Sequence, residues 1–258
     1  MIKELYKSIL PEAFRNQVRI LINKVKYPFY IGNNFECNCC GKSFRRMLPK
    51  GDRSNAECPY CGALERTRLL LHYLERTDTF LQAKDDTSKP QQKVLHFAPE
   101  PSLFKRFSQL EMEYIDADIN PANASHVVDI TNIGYEDDYF DYIICSHVIA
   151  HVPNEDKAIT ELHRVLSPEG RAIVMTYINP DSFETIDHEW INTPELRKQH
   201  YGEPDCLRLH GGDFAKRLAN GGFKVNQIDY RNQLGDKLIH KNVLGEGPRE
   251  WIFECRKS

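Results

Sequence analysis

The sequence predicts an α/β protein with a doubly wound, mostly parallel seven-stranded sheet and a small cysteine-rich module ahead of it. From Lys93 onward, short apolar runs alternate with segments of helical period, the mark of a parallel sheet covered by helices. Residues 35–62 are instead weakly periodic and rich in Cys and Gly. An apolar content of 41% over 258 residues suffices for one full core plus a small appended unit.

Residues 1–34 read as a basic helical segment. Ile2, Leu5, Tyr6 and Ile9, then Phe14, Val18, Leu21, Ile22 and Val25, recur at helical spacing, and Pro11 suits the first turn of a second helix. Residues 1–54 carry a net charge of +7, which leaves −10 for the remainder and −3 overall. The whole chain therefore lacks the charge signature of a nucleic-acid binder, although its front end could meet an anionic partner. Contact of the first helix with a membrane surface competes with packing against the protein's own body. No run approaches the ~18–20 apolar residues of a membrane span, and no signal peptide is legible. The expected compartment is cytoplasmic.

Eight cysteines without an export signal favour thiols or metal ligands over disulfides. Cys37-Asn-Cys-Cys40-Gly41 and Cys58-Pro-Tyr-Cys61-Gly62 form two C-x-x-C turns separated by 17 residues. Each turn aims two thiolates at one point. Four such ligands complete a closed tetrahedral shell, so Cys37, Cys40, Cys58 and Cys61 are expected to hold a structural zinc ion within a ribbon over residues 35–62. Cys39 is the ambiguity, since it could replace either of its neighbours. Cys145 and Cys255 read as core residues of strands.

A helix with Leu64, Leu69, Leu70, Tyr73 and Leu74 on one side follows, and the polar stretch 84–92 reads as a linker, so 63–92 connects the ribbon to a main domain over 93–258. Strands are expected at 94–97, 113–117, 126–130, 141–146 and 171–177, with two closing strands at 223–230 and 250–256. Helices fit 102–110, 155–166 and about 211–220, the last with Asp213 as its cap. The stretch 179–210 is less regular.

In an open parallel sheet, ligands bind beyond the carboxyl ends of the strands. That rim is expected to comprise His96, Phe97, Ala98 and Glu100, then Asp118 and Ile119, then Asp129 and Ile130, then Ser146 and His147. An acid closing the second strand can accept from both ribose hydroxyls of a nucleoside, and Asp118 lies nearer the tip than Asp116. Asp129 could accept from an adenine amino group, or simply cap a turn.

Residues 129–178 resemble the central portion of class I S-adenosylmethionine-dependent methyltransferases, close to the type 11 domain group. The similarity rests on Asp129, Phe140-Asp141, His147-Val-Ile-Ala-His151-Val152 and Leu166-Ser-Pro-Glu-Gly170. The cysteine ribbon together with the CPxCG, LER and HFAPEP stretches also resembles a bacterial subgroup of such enzymes. The resemblance implies a Rossmann-like methyltransferase fold, S-adenosylmethionine as cofactor and transfer of a methyl group. One departure matters. These enzymes usually carry an acid and a G-x-G-x-G loop after the first strand, where glycines permit positive φ. This chain has HFAPEPS, stiffened by two prolines. His96 occupies the usual acid position, and Glu100 is the candidate carboxylate for the methionine ammonium; a weakened or lost cofactor site is the competing reading. The missing glycines also argue against a nicotinamide enzyme.

Methyl transfer is an in-line displacement, so positioning dominates, and a general base is needed only for a protonated acceptor. His147, His151, Tyr177 and His210 are the candidate catalytic residues, with Tyr201 in the same region. His147 and His151 sit four apart and could share a helix face. A small-molecule or saccharide acceptor is expected. Two alternatives stay open: an RNA methyltransferase gripping phosphates with its basic ribbon, and a non-catalytic binding protein on a degenerate methyltransferase fold.

Overall fold

The computed structural model describes residues 18, 21–77, 91–245 and 250–257. Most of the helical segment read over residues 1–26, and most of the linker at 84–92, lie outside these described residues.

The ribbon is built from two antiparallel hairpins. β1 (Ile31–Cys37) pairs with β2 (Lys42–Phe44), and β3 (Leu48–Lys50) pairs with β4 (Arg53–Glu57). It thus begins a few residues before the expected start at residue 35. Helix α1 (Glu65–Thr77) follows the second knuckle directly. Leu69, Leu70, Leu71, Tyr73 and Leu74 are all buried there, so α1 is an integral covering helix of the sheet and not a mere connector.

The main sheet has the order β10-β11-β9-β8-β5-β6-β7. Its strands are β5 (Lys93–Phe97), β6 (Glu113–Asp118), β7 (His126–Val127), β8 (Phe140–Ser146), β9 (Leu166–Tyr177), β10 (Phe223–Ile228) and β11 (Glu250–Lys257). β5 through β9 run parallel, while β11 pairs antiparallel with both β9 and β10. Strand period explains the two cores. Leu95, Phe97, Ile143, Cys145, Ala172, Val174, Phe253 and Cys255 face one side, and Val94, Ile144, Ile173, Met175 and Ile252 the other. Burial on both faces is what a parallel sheet demands. The first face is covered by α3 (Glu155–Val165) and α5 (Phe214–Asn220), the second by α1 and α2 (Pro101–Phe107). α4 (Pro194–Tyr201) lies in the irregular stretch.

Four elements differ from expectation. β7 stops at Val127, because Asp129 folds its carboxylate back onto Thr131 N and Oγ1, both at 2.8 Å, and ends the strand. β9 starts five residues early, its Leu-Ser-Pro-Glu-Gly opening being extended; a Cβ on Gly170 would lie 2.7 Å from Leu166 Cδ1, so only glycine fits. An unforeseen helix, α6 (Asp236–Asn242), lies between the closing strands. Asp213 is the N-cap of α5, but its side chain makes no capping bond and instead accepts from Thr185 Oγ1 at 2.6 Å.

Candidate active site and metal centre

At the ribbon, the Sγ atoms of Cys37, Cys40, Cys58 and Cys61 all lie within 4.8 Å of one another. Cys37 Sγ is 3.7 Å from Cys61 Sγ, and Cys40 Sγ is 3.8 Å from Cys58 Sγ. Such gaps are far too long for a disulfide, about 2.05 Å. They match thiolates held about 2.3 Å from one tetrahedral ion, whose edges are about 3.8 Å. Gly41 and Gly62 have φ of +67° and +77°, the left-handed turn that closes each knuckle. Tyr60 and Cys61 direct their amides at Cys58 Sγ, each at 3.5 Å. Neighbouring thiols, Cys39 and Cys40 foremost, pull Cys37 well below the ordinary thiol value, so the cluster favours a thiolate. Cys39 is pushed up by Cys37 and by burial, and packs toward the main core outside the set of four.

The parallel strands bring their C-terminal tips to one rim, and β5 is the switch point, with β6 on one side and β8 on the other. Both strands flanking that crevice leave the sheet through a non-glycine residue in the left-handed region: Ala98 after β5 (φ +46°) and His147 after β8 (φ +56°). The Ala98 amide donates to Ala117 O and the His147 amide to Met175 O, each at 2.8 Å, which holds the two bends. Backbone strain of this kind clusters at functional sites. Ala98 therefore takes the conformation that glycine usually supplies.

Asp118 closes β6, half-buried, and accepts from Asn120 N at 2.8 Å. Asp116 is buried and committed to Ser125 N at 2.6 Å. The Val128 amide donates to Asp118 O at 3.1 Å, so Asp129 stands one residue beyond Asp118's backbone partner. Ile119 is exposed, whereas Phe97 and Ile130 belong to the core. His96 is wholly buried. Its Nδ1 pairs with Tyr114 Oη at 2.9 Å and its Nε2 lies 3.3 Å from Glu100 Oε2, so it supports Glu100 from below instead of lining the rim. Glu100 also accepts from Ser146 Oγ at 3.3 Å. Burial raises the Glu100 carboxyl, but His96 and Arg66 outweigh it and hold the group below its ordinary value.

Arg66, in the first turn of α1, was not legible as a site residue. Its Nε is buried without a hydrogen-bond partner, as is Ser102 Oγ. Arg66, Cys61, Glu100 and Ser102 line one cavity of about 150 Å³ between the ribbon and the β5–α2 turn. The Arg66 charge acts to lower the pKa of Glu100, His147 and Cys206 alike.

His147 and His151 do not share a helix face. His147 is a left-handed bend and His151 ends a 3-10 turn, so each ring goes its own way. His147 Nε2 sits 3.1 Å from Glu250 Oε2 at the start of β11; burial and Arg66 lower its pKa, Glu250 opposing. His151 lies against Asp205 and Cys206, Nδ1 to Oδ2 at 3.5 Å and Nε2 to Sγ at 3.9 Å. Burial pushes the Cys206 thiol up to about 11. Tyr177 is half-buried at the end of β9, opposite Glu250. His210 is wholly buried, with Nδ1 on Thr176 Oγ1 at 3.0 Å and Nε2 on Glu155 Oε1 at 2.8 Å, so it cannot meet an acceptor. Tyr201 is buried beside Ile191 and Cys206.

Sheet order, switch-point crevice and acid-tipped second strand together define a Rossmann-like methyltransferase fold. Residues 92–174 match the family model described as "Methyltransferase domain". The matched stretch runs from just before β5 into β9. It is 32% identical over 120 residues to the demethylmenaquinone methyltransferase of Streptomyces avermitilis, covering 42% of this chain and 51% of that one. It is 28% identical over 114 residues to the ubiquinone/menaquinone biosynthesis C-methyltransferase of Brucella canis, covering 39% and 42% respectively. The chain thus spans about half the length of these curated relatives or less. Among solved structures, the [4+2]-cyclase SpnF superposes with a TM-score of 0.51 at 12% identity, covering 96% of this chain and 97% of that one. Since that protein is a cyclase, likeness of fold leaves the reaction open. No helix among the described residues is long and apolar enough to cross a membrane.

Proposed function

We propose that this protein transfers the methyl group of S-adenosylmethionine to a small-molecule or saccharide acceptor. The observation that carries the reading is the set of groups around the switch point: a left-handed Ala98, an acid at the tip of β6, and Glu100 and Arg66, which line the cavity between the ribbon and the β5–α2 turn. These residues suit the cofactor end to end. Asp118 would hold the ribose, Glu100 the methionyl ammonium and Arg66 the methionyl carboxylate, with Ile119 flanking the base. When bound, the cofactor supplies an electrophilic methyl group on a sulfonium. The chain's own task is orientation and exclusion of water. His147, kept neutral by burial and held by Glu250, is the residue suited to take a proton from a hydroxyl acceptor. The RNA reading gains no support from Arg53, which is committed to Glu65 at 2.9 Å.

Calorimetry with S-adenosylhomocysteine and 5′-methylthioadenosine tests this. The second ligand keeps the nucleoside and lacks the amino-acid end. R66A should weaken S-adenosylhomocysteine by roughly 10- to 100-fold, the worth of a charge-assisted contact. It should leave methylthioadenosine unchanged, whereas D118A should weaken both. Failure of the wild type to bind either ligand at millimolar concentration would sink the reading.

We further infer that the ribbon holds one zinc(II) through Cys37, Cys40, Cys58 and Cys61, in a closed structural site. A module with so small a core draws much of its folding energy from the metal. C58S should release that zinc and abolish the ordered ribbon, read as protease sensitivity within residues 31–62. Retained zinc with an intact ribbon in C58S would contradict the assignment.

A further inference from the structure

A second group of potential ligands stands apart from the ribbon: His151, Asp205 and Cys206, each offering one donor atom within 4.8 Å of the others. We propose that these three residues form a second zinc(II) site at the mouth of the cleft, with an open coordination position for the oxygen of a hydroxyl-bearing small molecule.

Donor chemistry and spacing support it. Imidazole, carboxylate and thiolate are the three zinc-ligand types, and their combined charge of about −2 matches the cation. Donors held about 2.0–2.3 Å from a tetrahedral ion lie about 3.3–3.8 Å apart. Cys206 Sγ is 3.9 Å from His151 Nε2, close to that edge, and Asp205, an exposed arm now 3.5 Å from the Nδ1 of the same ring, can turn to close the third. None of the three is tied up by the others in a good hydrogen bond; His151 Nδ1 is buried with no hydrogen-bond partner at all.

The framework is firmer than the ligands. The segment carrying Cys206 is fastened to the turn carrying His151 by Leu207 N to Ala150 O at 2.8 Å. Arg208 Nη1 then donates to Ile149 O at 3.0 Å and Val152 O at 2.7 Å, and its Nη2 to Pro153 O at 3.2 Å. A buried arginine thus clamps the backbone on both sides of His151, while Glu155 lies 3.5 Å from that arginine. Rigid support beneath ligands that lack partners of their own is how a metal site is preorganised.

Three protein ligands leave the fourth position of zinc vacant, the hallmark that separates catalytic from structural sites. Position in the fold gives that vacancy its direction. His151 lies five residues beyond Ser146, the end of β8, and Arg66 acts on Cys206 as well as on Glu100 and His147. The metal site itself is independent of the methyltransferase reading; only the assignment of its fourth ligand as the methyl acceptor rests on it.

Zinc content of the full chain decides the matter. Protein equilibrated with zinc under reducing conditions and freed of excess metal should carry two equivalents by mass spectrometry, and H151A and C206A one each. With cobalt(II), the ribbon should give a four-thiolate charge-transfer spectrum, and a second equivalent should add a weaker one-thiolate band that C206A lacks. D205N alters only an exposed side chain and should lower the second affinity about tenfold or more while sparing the first. One equivalent in the wild type, or two in the H151A/C206A double variant, overturns the proposal. S-adenosylhomocysteine binding by the same samples shows separately whether the cofactor reading stands.

Discussion

Replacing Arg68 by alanine is expected to destabilise the protein by about 3–5 kcal/mol, the cost of breaking a buried charged network. Arg68 is wholly buried, and every hydrogen bond its guanidinium makes goes to a main-chain carbonyl. Nη1 donates to Ala63 O at 2.6 Å, Nη2 to Ala56 O at 3.1 Å and Val243 O at 2.8 Å, and Nε to Asn242 O at 2.7 Å. One side chain therefore pins the ribbon, the start of α1 and the end of α6 together. Truncation would strand those carbonyls away from water, each at a cost of about 1–3 kcal/mol before relaxation. R68K should rescue little, because a point-like ammonium cannot span acceptors spread around a planar fork. In a thermal melt the alanine variant should lose roughly 10 °C. A loss below about 1 kcal/mol in urea would show that the ribbon docks by other means.

The second large effect concerns Glu155 at the start of α3. Its buried carboxylate receives His210 Nε2 at 2.8 Å and Arg217 Nε at 3.0 Å, with Arg208 beside it at 3.5 Å. Burial raises its pKa, but hydrogen bonds from His210 and Arg217 prevail and bring it to about 2. A carboxyl with a folded pKa below its unfolded value contributes stability above the ordinary carboxylate range and loses it as pH falls toward the folded value. The window therefore runs from about pH 4.5 down to about 2, and the contribution is on the order of 3 kcal/mol. E155Q should be less stable than the wild type at pH 7, with the gap closing on acidification through that window. A constant gap from pH 7 to pH 3 would remove Glu155 as the cause. Because Arg208 also holds the turn around His151, E155Q should weaken the second zinc site as well.

Features set by local spacing were legible in the sequence. The paired C-x-x-C turns and the strand-tip acids needed only neighbours a few residues away, and short apolar runs made β5, β6 and β8 readable to within a residue. Where side chains overrode that pattern, the reading slipped. Asp129 ended β7 early by turning onto Thr131, and the Pro-Glu-Gly opening of β9 looked like a turn although it is extended. Long-range partners were invisible: Glu250 meets His147 from 103 residues away, and Asn242 meets Arg68 from 174. Arg66 carried no pattern at all, since nothing in one helix turn announces which loop it will face. The helix pairing of His147 with His151 failed because a left-handed residue stands where helical continuity was assumed.

Ala98 has a wider bearing. An L-residue pays roughly 1–2 kcal/mol to stand in that left-handed geometry, and Pro99 and Pro101 fix the chain on leaving it. Left-handed backbone at this bend is reached here without glycine. A search keyed to glycine spacing would pass such a loop over, while one keyed to backbone dihedral angles would find it.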